Sequence, residues 1–291
     1  MKIAVFGQAY KTDSLKYILK LLGLLDKKNC EVYIVDEVYK HIENQVKSVF
    51  KTFDSSKILN STFDYVISIG GDGTILRAAT IIRDSNIPII GINTGRLGFL
   101  ANIPKEDMQK AINQLFAGEF HIDKRSLLEA ITSKKNIDLG INFALNEISV
   151  SRKNTTTMIM IDTYLDDEFL NTYWADGLII ATPTGSTGYS LSCNGPIITP
   201  QVKALTITPI APHNLSIRPL IIRDNATIKI RISSRENKFL LSMDSRIVSL
   251  DTDTAIFIKK TNFKLHMIEL ENQSFLKTLR EKLLWGKDTR N

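Results

Sequence analysis

Between Lys2 and Gly118 the chain alternates short apolar runs with stretches whose apolar positions recur every three or four residues. Lys2–Phe6 (KIAVF), Glu31–Val35 (EVYIV), Tyr65–Ile69 (YVISI) and Ile87–Ile92 (IPIIGI) read as buried strands. Leu15, Ile18, Leu19, Leu22 and Leu25 share one face of a helix, and a second helix is predicted from Thr74 to Asp84. A third opens at Pro104 and stops at Gly118, with Met108, Ala111, Ile112, Leu115 and Phe116 facing inward. Strands alternating with helices predict a mostly parallel, Rossmann-like sheet in an α/β domain over residues 1–125.

Past 125 the texture becomes strand after strand. Leu145–Val150, Met158–Tyr164, Leu178–Ala181, Leu205–Ile210, Thr227–Ser233, Phe239–Met243, Ala255–Ile258 and Phe263–Ile268 all have that character. Thr227–Ile232 alternates cleanly, isoleucine inward and polar outward. An all-β, sandwich-like domain is expected over 126–270. Helical spacing returns over 271–291, with Phe275, Leu276, Leu279, Leu283 and Leu284 on one face. A lone amphipathic helix of this length needs a surface to dock on.

Composition narrows the class. Hydrophobic residues at 43% and charged residues at 23% suit a folded globular chain and exclude disorder over most of it. The formal net charge of +6 permits anionic partners without choosing among them. No basic run interleaved with aromatics supports a nucleic-acid partner. Cys30 and Cys193 cannot frame a disulfide scaffold, and His41, His121, His213 and His266 are too scattered for a zinc site. The start, MKIAVFGQAY, lacks the apolar stretch of a secretion signal. No stretch approaches the roughly 20 apolar residues of a membrane span. A soluble cytoplasmic protein with no membrane partner is expected.

Two segments carry candidate chemistry. The first, SIGGDGTILRAA, sets Gly70, Gly71, Asp72, Gly73 and Thr74 between a strand and a helix, where open parallel sheets bind ligands. Glycines let backbone N–H groups approach an anion, the helix start adds its dipole, and Arg77 lies one turn in. Neither a Walker A loop nor the dinucleotide fingerprint is present, since Leu76 stands where the latter needs glycine. A tight strand–helix turn would explain the glycines alone. It does not explain Asp72, a carboxylate that repels anions unless it serves a proton or a metal.

The second segment, DGLIIATPTGSTGYSLSCNGP at 176–196, runs from a strand into a turn dense in hydroxyls and glycines, with Tyr189 offering a face for a base. It suits a neutral polar ligand with ribose hydroxyls, or else a polar loop capping a sheet. No G-x-S-x-G elbow occurs, so a serine nucleophile is not indicated. Asn146-Glu147 is a polar pair on a core strand that needs partners, whether structural or ligand.

Together GGDGT at 70–74, GINTGRLGFL at 91–100, LNE at 145–147, the 176–196 segment and TPIAPHNLSIRPL at 208–220 resemble the NAD kinase family over most of the chain. GGDG alone also resembles lipid kinases and phosphofructokinases; the 176–196 segment is far more specific. The resemblance implies transfer of the ATP γ-phosphate to the 2′-hydroxyl of the adenosine ribose of NAD, with a divalent cation, Mg²⁺ foremost, accompanying ATP. It gives Asp72 the role of proton acceptor, with Gly73 beside it. Gly70, Gly71, Thr74 and Arg77 then fall on the phosphate side. Asn146 and Glu147 match the pair holding the NAD adenosine, and Asp176 matches a carboxylate near the nicotinamide. Thr187, Gly188, Tyr189 and Ser192 match the loop around the adenine, with Ser190 and Leu191 within it and Thr184 just upstream. Ala211 matches a position approaching NAD from a neighbouring subunit. A homodimer or homotetramer, and a terminal helix packed back on the first domain, are also implied. Metal ligands are not assigned.

Two positions depart from the family pattern. Gly188 stands where members often have alanine, a change expected to cost little. Arg246, in SMDSR, stands where many have glutamine, and its charge would favour a phosphate. The rivals are a lipid kinase sharing the GGDGT turn, which needs an apolar acceptor site, and a non-catalytic nucleotide sensor.

Overall fold

The structure, a computed structural model, describes residues 1–8, 12–46, 48–154, 157–271 and 273–285. It divides into two compact units, Met1–Lys124 with Leu265–Asn291, and Arg125–Lys264. The chain passes between them inside two long strands, Phe120–Thr132 and Ile256–Leu270.

In the first unit Lys2–Phe6 lies between Glu31–Val35 and Tyr65–Gly70, all parallel. Ile89–Asn93 adds on beside Tyr65–Gly70, and Lys51–Phe53 forms the outer edge. Ile3, Val5, Ile67, Ile69, Ile89 and Ile90 are fully buried, as a strand covered on both faces requires. The helices Thr12–Asp26 and Met108–Ala117 pack together, and Gly118 ends the latter with φ 75°, the left-handed conformation of a C-terminal glycine cap. The short helix Asp36–Ile42 and the three-residue strand Lys51–Phe53 show no periodicity in the sequence, being too short to carry one. The terminal helix, Phe275–Leu283, is capped by the Ser274 hydroxyl, which accepts from the Lys277 N–H at 3.1 Å. It docks through Leu279 and through Phe275, whose ring lies 6.1 Å from that of Phe99. Leu276 and Leu284, expected on the docked face, are instead exposed.

The second unit has one antiparallel sheet of six strands in the order Leu220–Arg223, Ala204–Ile210, Gly177–Ala181, Glu147–Arg152, Lys238–Met243, Arg246–Asp251. Glu168–Ala175, Ile159–Leu165, Ile228–Ser233 and the start of Ile256–Leu270 pair antiparallel in a second layer. Ile148, Val150, Leu178, Ile180, Phe239 and Leu241 from the first layer share one core with Ile159, Ile161, Ile228, Ile230 and Ile258 from the second. Each such side chain contributes about 1.5–3 kcal/mol on burial, which fixes the registers that carry the site. Ile228, Ile230 and Ile232 point inward and Arg231 outward, as the alternation predicts.

Candidate active site

The helix after the glycine turn begins at Asp72, two residues before the predicted start. Gly71 caps it in an extended conformation, and its carbonyl accepts the Thr74 N–H at 2.9 Å. Gly70 has φ 153°, and a Cβ there would stand 2.2 Å from the Thr74 hydroxyl, so only glycine fits. Gly71 and Gly73 meet nothing within 4 Å at the Cβ position. Packing does not demand these two glycines; they leave open approach beside Asp72. Thr74 is 3% exposed, and its N–H already donates to the Gly71 carbonyl. Arg77 is exposed on the same helix face as Gly73.

The Asp72 carboxylate turns away from its own helix. Oδ1 accepts the N–H groups of Leu100 (3.1 Å) and Ala101 (2.9 Å), and Oδ2 accepts that of Phe99 (2.9 Å). The segment that supplies them is pressed close by Gly91, where a Cβ would lie 2.9 Å from the Ala101 Cα. Lys282 of the terminal helix places Nζ 3.9 Å from Asp72 Oδ2. Sequence alone gives no signal for Lys282; the 91–100 motif contains Phe99 and Leu100 but does not show that their amides turn to Asp72.

In the second unit Asn146 and Glu147 sit where the chain bends into the strand Glu147–Arg152. Asp244, buried in the hairpin between Lys238–Met243 and Arg246–Asp251, gathers that bend: its carboxylate accepts the N–H groups of Leu145 (2.9 Å), Asn146 (2.9 Å) and Glu147 (3.2 Å). Arg246 donates to the carbonyls of Ile141 (3.0 Å) and Phe143 (2.5 Å) and stands 3.8 Å from Asp244. Its guanidinium clamps the approach to Asn146 and Glu147. Burial, and then the neighbouring Asp244 charge, push the Glu147 carboxyl up to about 8, against the N–H of Tyr189 that donates to Oε2 at 3.3 Å. Burial also raises Asp244, outweighing its three amides and Arg246.

The polar turn divides by direction. Thr182 donates to the Leu145 carbonyl at 2.7 Å, and Ser186 to Pro183 at 2.6 Å. Ser190 is fully buried, its hydroxyl 2.9 Å from that of Thr208. Thr184, 5% exposed, takes a contact from Arg125 at 3.4 Å. Thr187 and Gly188 are half-buried, Leu191 likewise, while Tyr189 and Ser192 are exposed. Gly185 backs onto Asn146, whose carbonyl oxygen would lie 2.0 Å from a Cβ. At Gly188 a Cβ would stand 2.7 Å from Glu147 Oε2, the far end of a side chain, so alanine there is accommodated once that carboxylate shifts aside. Asp176 pairs with Arg152 at 2.9 Å, beside a cavity of about 630 Å³ lined by Arg152, Met158, Trp174 and Arg235. Ala211 is exposed with φ 44°.

A parallel α/β unit with a fixed carboxylate at an open glycine turn, followed by an antiparallel unit with a polar turn, is the architecture of a two-domain nucleotide kinase. Residues 3–120 match the ATP-NAD kinase N-terminal domain family, and residues 145–270 the ATP-NAD kinase C-terminal domain family. The chain is 52% identical to the NAD kinases of Christiangramia forsetii and of Flavobacterium psychrophilum, over the full length of each pair. It is similar to yeast NADH kinase complexed with NADH, with TM-score 0.89 and 27% identity over 100% of this chain and 89% of that one. An NAD kinase from Archaeoglobus fulgidus in complex with ATP shares the fold, with TM-score 0.77 and 24% identity over 98% and 99% of the two chains. The chain belongs to the NAD kinase family, and it is an ATP-dependent phosphotransferase.

Proposed function

We propose that the chain transfers the γ-phosphate of ATP to the 2′-hydroxyl of the adenosine ribose of NAD, giving NADP and ADP. The observation that carries this reading is Asp72, held by three backbone amides at the mouth of an open glycine turn. Asp72 accepts the hydroxyl proton as the new oxygen–phosphorus bond forms and the bond to the β-phosphate oxygen breaks. Phosphoryl transfer has a loose transition state, so alignment and charge neutralisation contribute more than early deprotonation. Asn146, Glu147, Thr187, Gly188, Tyr189 and Ser192 hold the adenosine, and Asp176 the nicotinamide end. Gly70, Gly71, Gly73 and Arg77 lie on the ATP side.

A divalent cation, Mg²⁺ foremost, accompanies ATP and neutralises phosphate charge. Among the described residues no three His, Cys, Asp or Glu side chains converge on one point. Mg²⁺ often keeps several waters and binds through few protein carboxylates, so the ATP phosphates or Asp72 would hold it. No helix among the described residues is long and apolar enough to cross a membrane. A cytoplasmic homodimer or homotetramer, with Ala211 approaching the NAD of a neighbouring subunit, completes the reading.

Purified protein incubated with ATP, Mg²⁺ and NAD is expected to form NADP, detected by an NADP-specific dehydrogenase. Phosphorylation of diacylglycerol or sphingosine without NADP would overturn the proposal in favour of a lipid kinase. Nucleotide binding without turnover would favour a sensor.

A further inference from the structure

We propose that Lys282 is a catalytic residue of the phosphoryl transfer, its ammonium stabilising the phosphoryl group as it passes beside Asp72. The inference rests on the reading of Asp72 as the proton acceptor. Lys282 follows Leu279 by three residues on the terminal helix, so the two share a face. Leu279 is buried, and Phe275 packs on Phe99, which fixes that face against the segment whose amides hold Asp72. Nζ then lies 3.9 Å from Asp72 Oδ2 and 4.7 Å from the centroid of the Phe99 ring.

The geometry is not that of a closed structural ion pair. At 3.9 Å the contact is at the outer limit of pairing, the side chain is 35% exposed, and among the described residues it donates no hydrogen bond. An exposed pair of this kind adds little to stability. Its position is informative for another reason. A hydroxyl that gives its proton to Asp72 stands about 2.6–3.2 Å from the carboxylate. The phosphorus it attacks lies about 3–3.5 Å further on. An ammonium already beside Oδ2 reaches the equatorial phosphoryl oxygens by rotating its last methylene groups. Its three N–H donors and full charge suit oxygens on which negative charge accumulates. The proton balance is unchanged: Asp72 takes the hydroxyl proton, ADP leaves with the electron pair of the broken bond, and Lys282 keeps its proton throughout.

The test uses the full chain with ATP, Mg²⁺ and NAD, comparing Lys282→Met and Lys282→Arg with the parent. Lys282→Met keeps the stem on Phe99 and removes the charge; it is expected to lower kcat about 100-fold, the scale of losing one charge-stabilising donor. The NAD KM should stay within about threefold and the thermal midpoint should move little, because binding is untouched and packing loses only the ammonium over the Phe99 ring. Lys282→Arg should recover kcat to within about tenfold of the parent, since the charge returns on a longer arm. Parental kcat in Lys282→Met, or equal losses in both variants, would overturn the role. Should Lys282→Met fail to fold, Lys282→Gln is read in its place against the same two outcomes. Asp72→Asn run alongside separates the readings: normal kcat there removes the proton acceptor itself, whereas a collapse there with parental Lys282→Met removes only the role of Lys282.

Discussion

Gly98 lies so close beneath Asp72 that a Cβ on it would stand 1.8 Å from Oδ1. No side chain fits there while the carboxylate keeps its amide partners. Gly98→Ala is therefore expected to displace the carboxylate by about an ångström, a misplacement that costs about 100-fold in rate. Overpacking of this kind also costs about 1–3 kcal/mol of stability. Steady-state kinetics should show the loss in kcat with the NAD KM little changed. Parental kcat would mean that the Asp72 position is not what sets the rate.

Asp72→Asn tests the carboxylate itself. Asparagine can keep its oxygen towards Leu100 and Ala101, but its NH₂ then faces the Phe99 N–H, donor against donor. One unsatisfied amide costs about 1–3 kcal/mol. The larger effect is on turnover: kcat is expected to fall at least about 100-fold, with NAD binding retained in titration calorimetry. Binding lost while turnover per bound NAD stays normal would remove Asp72 from the chemistry.

Arg246 presents a different case, because its guanidinium is committed to the carbonyls of Ile141 and Phe143 and stands beside Asp244. Arg246→Gln removes the charge and shortens the arm. Urea unfolding should report a loss of about 1–3 kcal/mol, the cost of breaking charge-assisted hydrogen bonds. The NAD KM should rise several-fold as the bend at 145–147 loosens, and the ATP KM should not change. The reverse pattern, with ATP weakened and NAD unaffected, would return Arg246 to the phosphates.

These cases show where the sequence speaks and where it stops. The parallel strands were legible because Lys2–Phe6, Tyr65–Gly70 and Ile89–Asn93 are buried on both faces and so are almost wholly apolar. The sandwich-like unit was legible where one face meets water, as at Ile228–Ser233. Asp72 stood out because a carboxylate among glycines has no packing reason to be there. Its supports did not: the amides of Phe99, Leu100 and Ala101 are backbone groups, which any residue carries. In the sequence Asp244 reads as an ordinary turn residue, although its side chain is 3% exposed. The hydroxyls of the polar turn gave no direction. Thr184–Thr187 and Tyr189–Ser192 are two short helical turns, and only their packing shows that Ser186 and Ser190 face inward while Tyr189 and Ser192 face out.

Glu147 links the site to pH. Its carboxyl is raised from an ordinary 4.5 to about 8 by burial and by Asp244. Between those two values the folded protein holds a proton that the unfolded chain has released, so stability falls as pH rises through this window. Asp244, also raised, acts in the same direction. The surface carboxylates Glu31, Asp54, Asp166 and Asp253 are held low by their partners and act only at more acid pH, where their contribution is lost as pH falls. Glu147→Gln removes the titrating group. Its unfolding free energy relative to the parent should therefore improve from pH 5 to pH 8 by on the order of 3 kcal/mol. Binding should show the complementary effect. Ribose hydroxyls donating to Glu147 favour its ionised form, so NAD association releases a proton and tightens as pH rises towards 8. Calorimetry in two buffers of different ionisation enthalpy measures that proton. Its absence in the parent, or its persistence in Glu147→Gln, would place the adenosine away from Glu147.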